Sequence, residues 1–121
     1  MEHRTLIGAW ELQGMVSVGS DGGVGHPLGE HPSGVILYTP DGGVSATISA
    51  EPSSGAVDVS YAGWVSIDGN AITHHVLVGA DPYRAGELLV RDAELTTDGM
   101  LQLTARGPEL LRMTWKRLRR S

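Results

Sequence analysis

Three Asp-Gly dipeptides, Asp41-Gly42, Asp68-Gly69 and Asp98-Gly99, each lie between runs in which apolar and polar residues alternate. Asp-Gly readily supplies the positive φ of a tight hairpin, so each pair predicts two adjacent antiparallel strands. The connections lying between these hairpins are longer and looser. Tight turns at one end and long loops at the other describe an up-and-down barrel with an open mouth. Function is then expected inside the barrel.

The alternation predicts eight strands, at 9–18, 33–39, 44–50, 59–67, 71–79, 87–95, 100–105 and 110–118, with one short helical turn within 2–7. Following the chain up and down places all three Asp-Gly turns at the same closed base. The 19–32, 51–58 and 80–86 connections fall at the mouth. Successive side chains on a strand point to opposite faces, so each strand has an inner set. The expected inner sets are Trp10, Leu12 and Val16; Val44, Ala46 and Ile48; Tyr61, Gly63, Val65 and Ile67; Ile72, His74, Val76 and Val78. They continue with Leu89, Arg91, Ala93 and Leu95; Leu101, Leu103 and Ala105; and Leu111, Met113, Trp115 and Arg117. The 33–39 segment is ambiguous, with Ile36 and Tyr38 on one face and Val35 and Leu37 on the other. Closing the barrel brings the first and last strands together. Trp10, Trp115 and Arg117 then form a floor, with the guanidinium over an indole ring.

A chain of 121 residues reads as one domain, residues 1–121, with a core of its own. The net charge of −5 argues against nucleic acid as a partner, and the Lys116, Arg117, Arg119 and Arg120 cluster reads as a solvated end. There is no cysteine, hence no disulfide and no thiolate metal site. No apolar run reaches the ~20 residues of a membrane span, and the polar Met1–Thr5 start carries no signal-peptide pattern, so a cytoplasmic protein is expected. His26, Glu30 and His31 share one loop but read as solvated rather than as a zinc site. Adjacent His74 and His75 point to opposite faces and do not chelate together. No metal and no cofactor is expected.

Five short stretches, taken in order, resemble the bacterial lipocalin-like domain family. They are Leu6-Ile7-Gly8-Ala9-Trp10, Tyr38-Thr39-Pro40-Asp41-Gly42, Tyr61-Ala62-Gly63, Thr73-His74-His75-Val76 and Trp115-Lys116-Arg117. The resemblance implies an eight-stranded antiparallel barrel with an internal ligand cavity, and it implies no particular reaction. The chain departs from the family at 51–58, where a longer, partly helical insert is usual.

The inner set is almost wholly apolar, which makes its polar members informative: Tyr38, Tyr61, His74, Arg91 and Arg117. Tyr38 and Arg117 lie toward the base and read as structural. His74, Tyr61 and Arg91 converge on the middle and upper lumen and form the candidate catalytic set. His74 is the acid or base, while Arg91 and Tyr61 steady an oxyanion. An arginine in an apolar cavity needs an acceptor; Glu11, Asp92 or Glu94 would serve if the faces were reversed, and a ligand oxygen otherwise. Leu12, Val16, Ile36, Tyr38, Ala46, Val76, Leu103 and Met113 are the expected substrate-lining residues.

The expected function is a cofactor-independent cyclase or isomerase acting on a small, largely apolar, polyketide- or terpenoid-like substrate, with cyclic ether or spiroketal closure as the sharper version. This rests on analogy with similar barrels, including those resembling allene oxide cyclase. A non-catalytic carrier or sensor of a small apolar ligand uses the same cavity. A third reading is a structural module, and an outer patch of Trp64, Leu77, Leu88 and Val90 would support a homodimer.

Overall fold

The computed structural model describes residues 1–51 and 57–119. A single helical turn, α1 (His3–Leu6), leads into β1 (Gly8–Val18), β2 (Val24–Gly25), β3 (Ser33–Tyr38), β4 (Gly43–Ser49) and β5 (Val59–Asp68). The chain continues through β6 (Ala71–Gly79), β7 (Leu88–Leu95), β8 (Leu101–Ala105) and β9 (Leu110–Arg117). Strands β1 and β3 to β9 pair in chain order, all antiparallel, and β9 returns to β1. The result is an eight-stranded closed barrel. Closure leaves no unpaired barrel edge, which removes the hazard of an exposed strand template.

The three turns named from the sequence build the base. Gly42, Gly69 and Gly99 all adopt positive φ. Two of the hairpins share one mechanism. In each, a threonine hydroxyl (Thr39, Thr96) accepts from the backbone amide four residues on and donates to the turn aspartate. A fourth Asp-Gly, Asp21-Gly22, was missed as a hairpin signal. It turns β1 into the short β2, pairing Val18 with Val24 at the opposite end of the barrel. The 19–32 connection therefore carries a strand that was not expected.

Two bulges set the phase of the inner face. Leu12 pairs with Trp115, but the next pair is Gly14 with Thr114, so Gln13 is the extra residue. Beyond it Met15 faces Met113 and Ser17 faces Leu111, while Val16 turns outward opposite Arg112. The expected inward Val16 is corrected on this ground. On β6 the partners of Ala62 and Gly63 are Val78 and Val76, leaving Leu77 as the extra residue. Val78 therefore lies outside, 64% exposed, and Gly79 takes the inner position opposite Tyr61. The ambiguity in β3 resolves with Ile36 and Tyr38 inside.

The expected floor is present. The Arg117 guanidinium lies 4.3 Å from the centre of the Trp10 ring. Its Nη1 donates to the Ile7 carbonyl (2.9 Å) and its Nη2 to the Thr5 carbonyl (2.7 Å). Trp10 Nε1 donates to the Leu6 carbonyl at 2.9 Å. These bonds satisfy carbonyls at the end of α1, which no intrahelical donor can reach, and hold the helical turn against the base.

Candidate functional site

Above that floor is a cavity of about 260 Å³, slightly below the usual range for ligand sites (roughly 300–1,000 Å³). Of the residues expected to line the lumen, Ile36, Ala46, Leu103 and Met113 border this cavity, as do Tyr61, His74 and Arg91. Leu12 and Val76 point inward but are packed into the core without bordering it, and Val16 is on the outer face. Missed were Met15, brought inside by the β1 bulge, and Trp115, which was assigned to the floor. Leu28 and Tyr83 were also missed; both border the cavity from mouth loops, where strand periodicity gives no guidance. Their loops are anchored: Glu51 N donates to the Leu28 carbonyl, and the Tyr83 ring packs 5.1 Å from that of Tyr61. Residues 52–56 of the 51–58 connection, and Arg120 of the terminal cluster, lie outside the described residues.

Tyr38 departs from its expected place. It does not border the cavity; it is buried, and its hydroxyl sits 2.8 Å from Nε2 of His74. The Tyr61 hydroxyl sits 2.7 Å from Nδ1 of the same ring. Both imidazole nitrogens are thus occupied by phenols from two different strands. His74 is 1% exposed. Burial first, then the Arg91 and His75 charges, depress its pKa to about 3, so the ring is neutral at ordinary pH. Burial raises Tyr61 to about 12, with Arg91 opposing and Tyr83 adding. Burial also raises Tyr38, with Tyr61 adding to the rise and Arg91 opposing it.

The direction of these hydrogen bonds follows from counting donors. A neutral imidazole has one N–H and one bare nitrogen. Tyr38 has no other partner among the described residues, so if it accepted from Nε2 its own buried O–H would be unpaired, at a cost of ~1–3 kcal/mol. Tyr38 therefore donates to Nε2, Nδ1–H donates to the Tyr61 oxygen, and the Tyr61 proton is left to point into the cavity. Tyr38 and His74 thus fix the Tyr61 hydroxyl, the end of the line that belongs to a cavity-bordering residue. A chain of this kind polarises its last donor, by ~10–30% per bond.

Arg91 borders the cavity and donates from Nη1 to the Val90 carbonyl at 2.9 Å. No carboxylate pairs with it among the described residues; Asp92, the nearest in sequence, is held by Arg106 at 2.5 Å. No group of three or more metal-ligating side chains is found among the described residues. No described helix is long and apolar enough to cross a membrane.

Residues 7–58 match the family model of the lipocalin-like domain. That segment contains Trp10, Ile36, Tyr38 and Ala46, and the barrel it begins is closed by the remainder of the chain.

Over residues 7–58 the chain is similar to the lipocalin-like domain family.

No curated protein matches it. The matched segment supplies one wall of the lumen, while Tyr61, His74 and Arg91 lie beyond it. A barrel of this kind is suited to holding a small molecule in its lumen. The outer residues Trp64, Leu77, Leu88 and Val90 are all exposed, and the Trp64 ring stacks on His75 at 3.6 Å.

Proposed function

We propose that this lipocalin-like barrel is a cofactor-independent cyclase or isomerase for a small, mostly apolar substrate. The observation that carries the reading is the Tyr38–His74–Tyr61 line, in which phenols hold both imidazole nitrogens and the last phenol borders a largely apolar cavity. The expected acid–base role of His74 is replaced by a different one. Both its nitrogens are engaged and the ring protonates only near pH 3, so it neither takes nor gives a proton at neutral pH. Full transfer along the line would leave a tyrosinate on Tyr38, whose environment strongly resists it. Tyr61 instead donates a hydrogen bond to an oxygen on which charge develops. One such preorganised donor is worth about 10²–10³ in rate. The apolar walls hold the substrate folded, which removes part of the entropic barrier to ring closure. The migrating proton moves within the substrate or through water.

A carrier of a small apolar ligand is the second reading. It is favoured by the absence of any poised acid or base among Tyr61 and His74, whose pKa values of about 12 and about 3 bracket neutrality widely.

The two readings separate in one experiment. The protein is incubated with linear apolar hydroxy-ketones and unsaturated ketones, and products of unchanged mass are resolved by chromatography. An enzyme converts at least one of them, and Tyr61→Phe slows that conversion roughly 10²- to 10³-fold. Binding of an apolar dye should change little. Binding without conversion across the series supports the carrier.

A further inference from the structure

Among the described residues, the polar side chains that border the cavity are Tyr61, His74, Tyr83, Arg91 and Trp115, and each carries a donor. Tyr61 directs its O–H inward, Arg91 carries a charge with no carboxylate beside it, and Trp115 carries an indole N–H. Trp115 is 1% exposed and its Nε1 has no hydrogen-bond partner among the described residues. The other two indoles differ: Trp10 Nε1 is bonded to the Leu6 carbonyl, and Trp64 is on the outer face. A buried N–H facing nothing costs free energy, and such groups in folded proteins are otherwise nearly always paired. No aspartate or glutamate among the described residues borders the cavity. The interior is therefore locally positive in a chain whose net charge is −5.

We infer that the lumen selects an apolar molecule bearing an anionic oxygen, a carboxylate or an enolate, and that Trp115 Nε1–H is one of its contacts. The inference rests on the small-molecule reading of the barrel and holds for enzyme and carrier alike. A charged guanidinium and neutral donors bordering the cavity complement such an oxygen and its charge together, whereas an ammonium head meets a positive wall. An alcohol gains a hydrogen bond but leaves Arg91 unpaired. Arg91 sets the preference for charge, and Trp115 and Tyr61 set the position of the oxygen.

The test compares decanoate, decanol and decylamine, with the indole N–H signals followed by NMR. The Trp115 signal is assigned by its loss in Trp115→Phe. Decanoate is expected to bind roughly tenfold or more tightly than decanol, as a charge-assisted bond provides, with decylamine weakest. It should move the Trp115 indole signal downfield while leaving that of Trp64 in place. Arg91→Met should abolish the advantage of decanoate over decanol. Equal binding of all three probes, or a Trp115 signal unmoved with decanoate bound, overturns the inference while the small-molecule reading stands. Failure of all three probes and of an apolar fluorescent dye to enter the barrel overturns both.

Discussion

Tyr61 reaches Nδ1 of His74 at 2.7 Å although the two are not cross-strand partners; the residue opposite His74 is Val65. The phenol spans from one position on β5 to the next same-face position but one, and the two rings meet tilted by 45° with centroids 5.8 Å apart. Tyr38 reaches the other nitrogen from β3, two strands further round the barrel, by crossing the interior. One histidine thereby ties three strands together.

Removing either phenol tests the assigned proton direction. Tyr38→Phe leaves Nε2 buried without a donor and should cost about 1–3 kcal/mol. Tyr61→Phe frees Nδ1–H beside the cavity, where water can replace the lost oxygen, and should cost less, under about 1.5 kcal/mol. Urea denaturation measures both. The reverse order would mean that the line runs the other way.

Stability should depend on pH at both ends. His74 is held to about 3 when folded against 6.5 when exposed, so the unfolded chain binds more protons between those values. Its contribution is complete above about pH 6.5 and falls away as the pH drops toward 3, by on the order of 4 kcal/mol. Tyr61 acts in the opposite sense. Its pKa is raised from 10.0 to about 12, so its contribution is complete below pH 10 and is lost as the pH rises through 12. Denaturation midpoints across pH should show a plateau between. His74→Gln should flatten the acid side.

Gly63 admits no side chain. A Cβ there would collide with the His75 carbonyl oxygen and crowd Leu77 N, both backbone atoms held by the β5–β6 ladder. Gly63→Ala is expected to lose more than about 3 kcal/mol, well beyond the usual range for a single substitution. Thermal unfolding followed by circular dichroism reads the loss. A fall of only a degree or two would show that the bulge at Leu77 can relax.

Arg117 joins the last strand to the first turn of chain. Arg117→Met keeps much of the aliphatic stem but removes both bonds to the Thr5 and Ile7 carbonyls and the charge over Trp10. A loss of about 2 kcal/mol is expected. Hydrogen exchange should rise at residues 3–7 before it rises at β4 or β5, since the base would loosen without opening the barrel.

The hairpin order, the closed base and the tryptophan floor were legible because they depend on local turn chemistry and on strict alternation. Thr39-Pro40-Asp41-Gly42 declares its turn within four residues, and Val44, Ala46 and Ile48 declare their face within five. Alternation carries a face forward only while the ladder is unbroken. One extra residue inverts everything beyond it, and neither Gln13 nor Leu77 announces itself as that residue. Val16 and Val78 were misplaced for this reason, and Met15 was missed.

The amino-acid order by itself determined an up-and-down barrel with a greasy interior containing a histidine, an arginine and phenols. Only the tertiary structure decided that Tyr38 and His74, 36 residues apart, are hydrogen-bonded, and that Trp115, which borders the cavity, buries an indole N–H with no partner among the described residues. Those relations are chords across the lumen. Their lengths follow from strand tilt, stagger and barrel width, which belong to the closed sheet as a whole and to no segment of it.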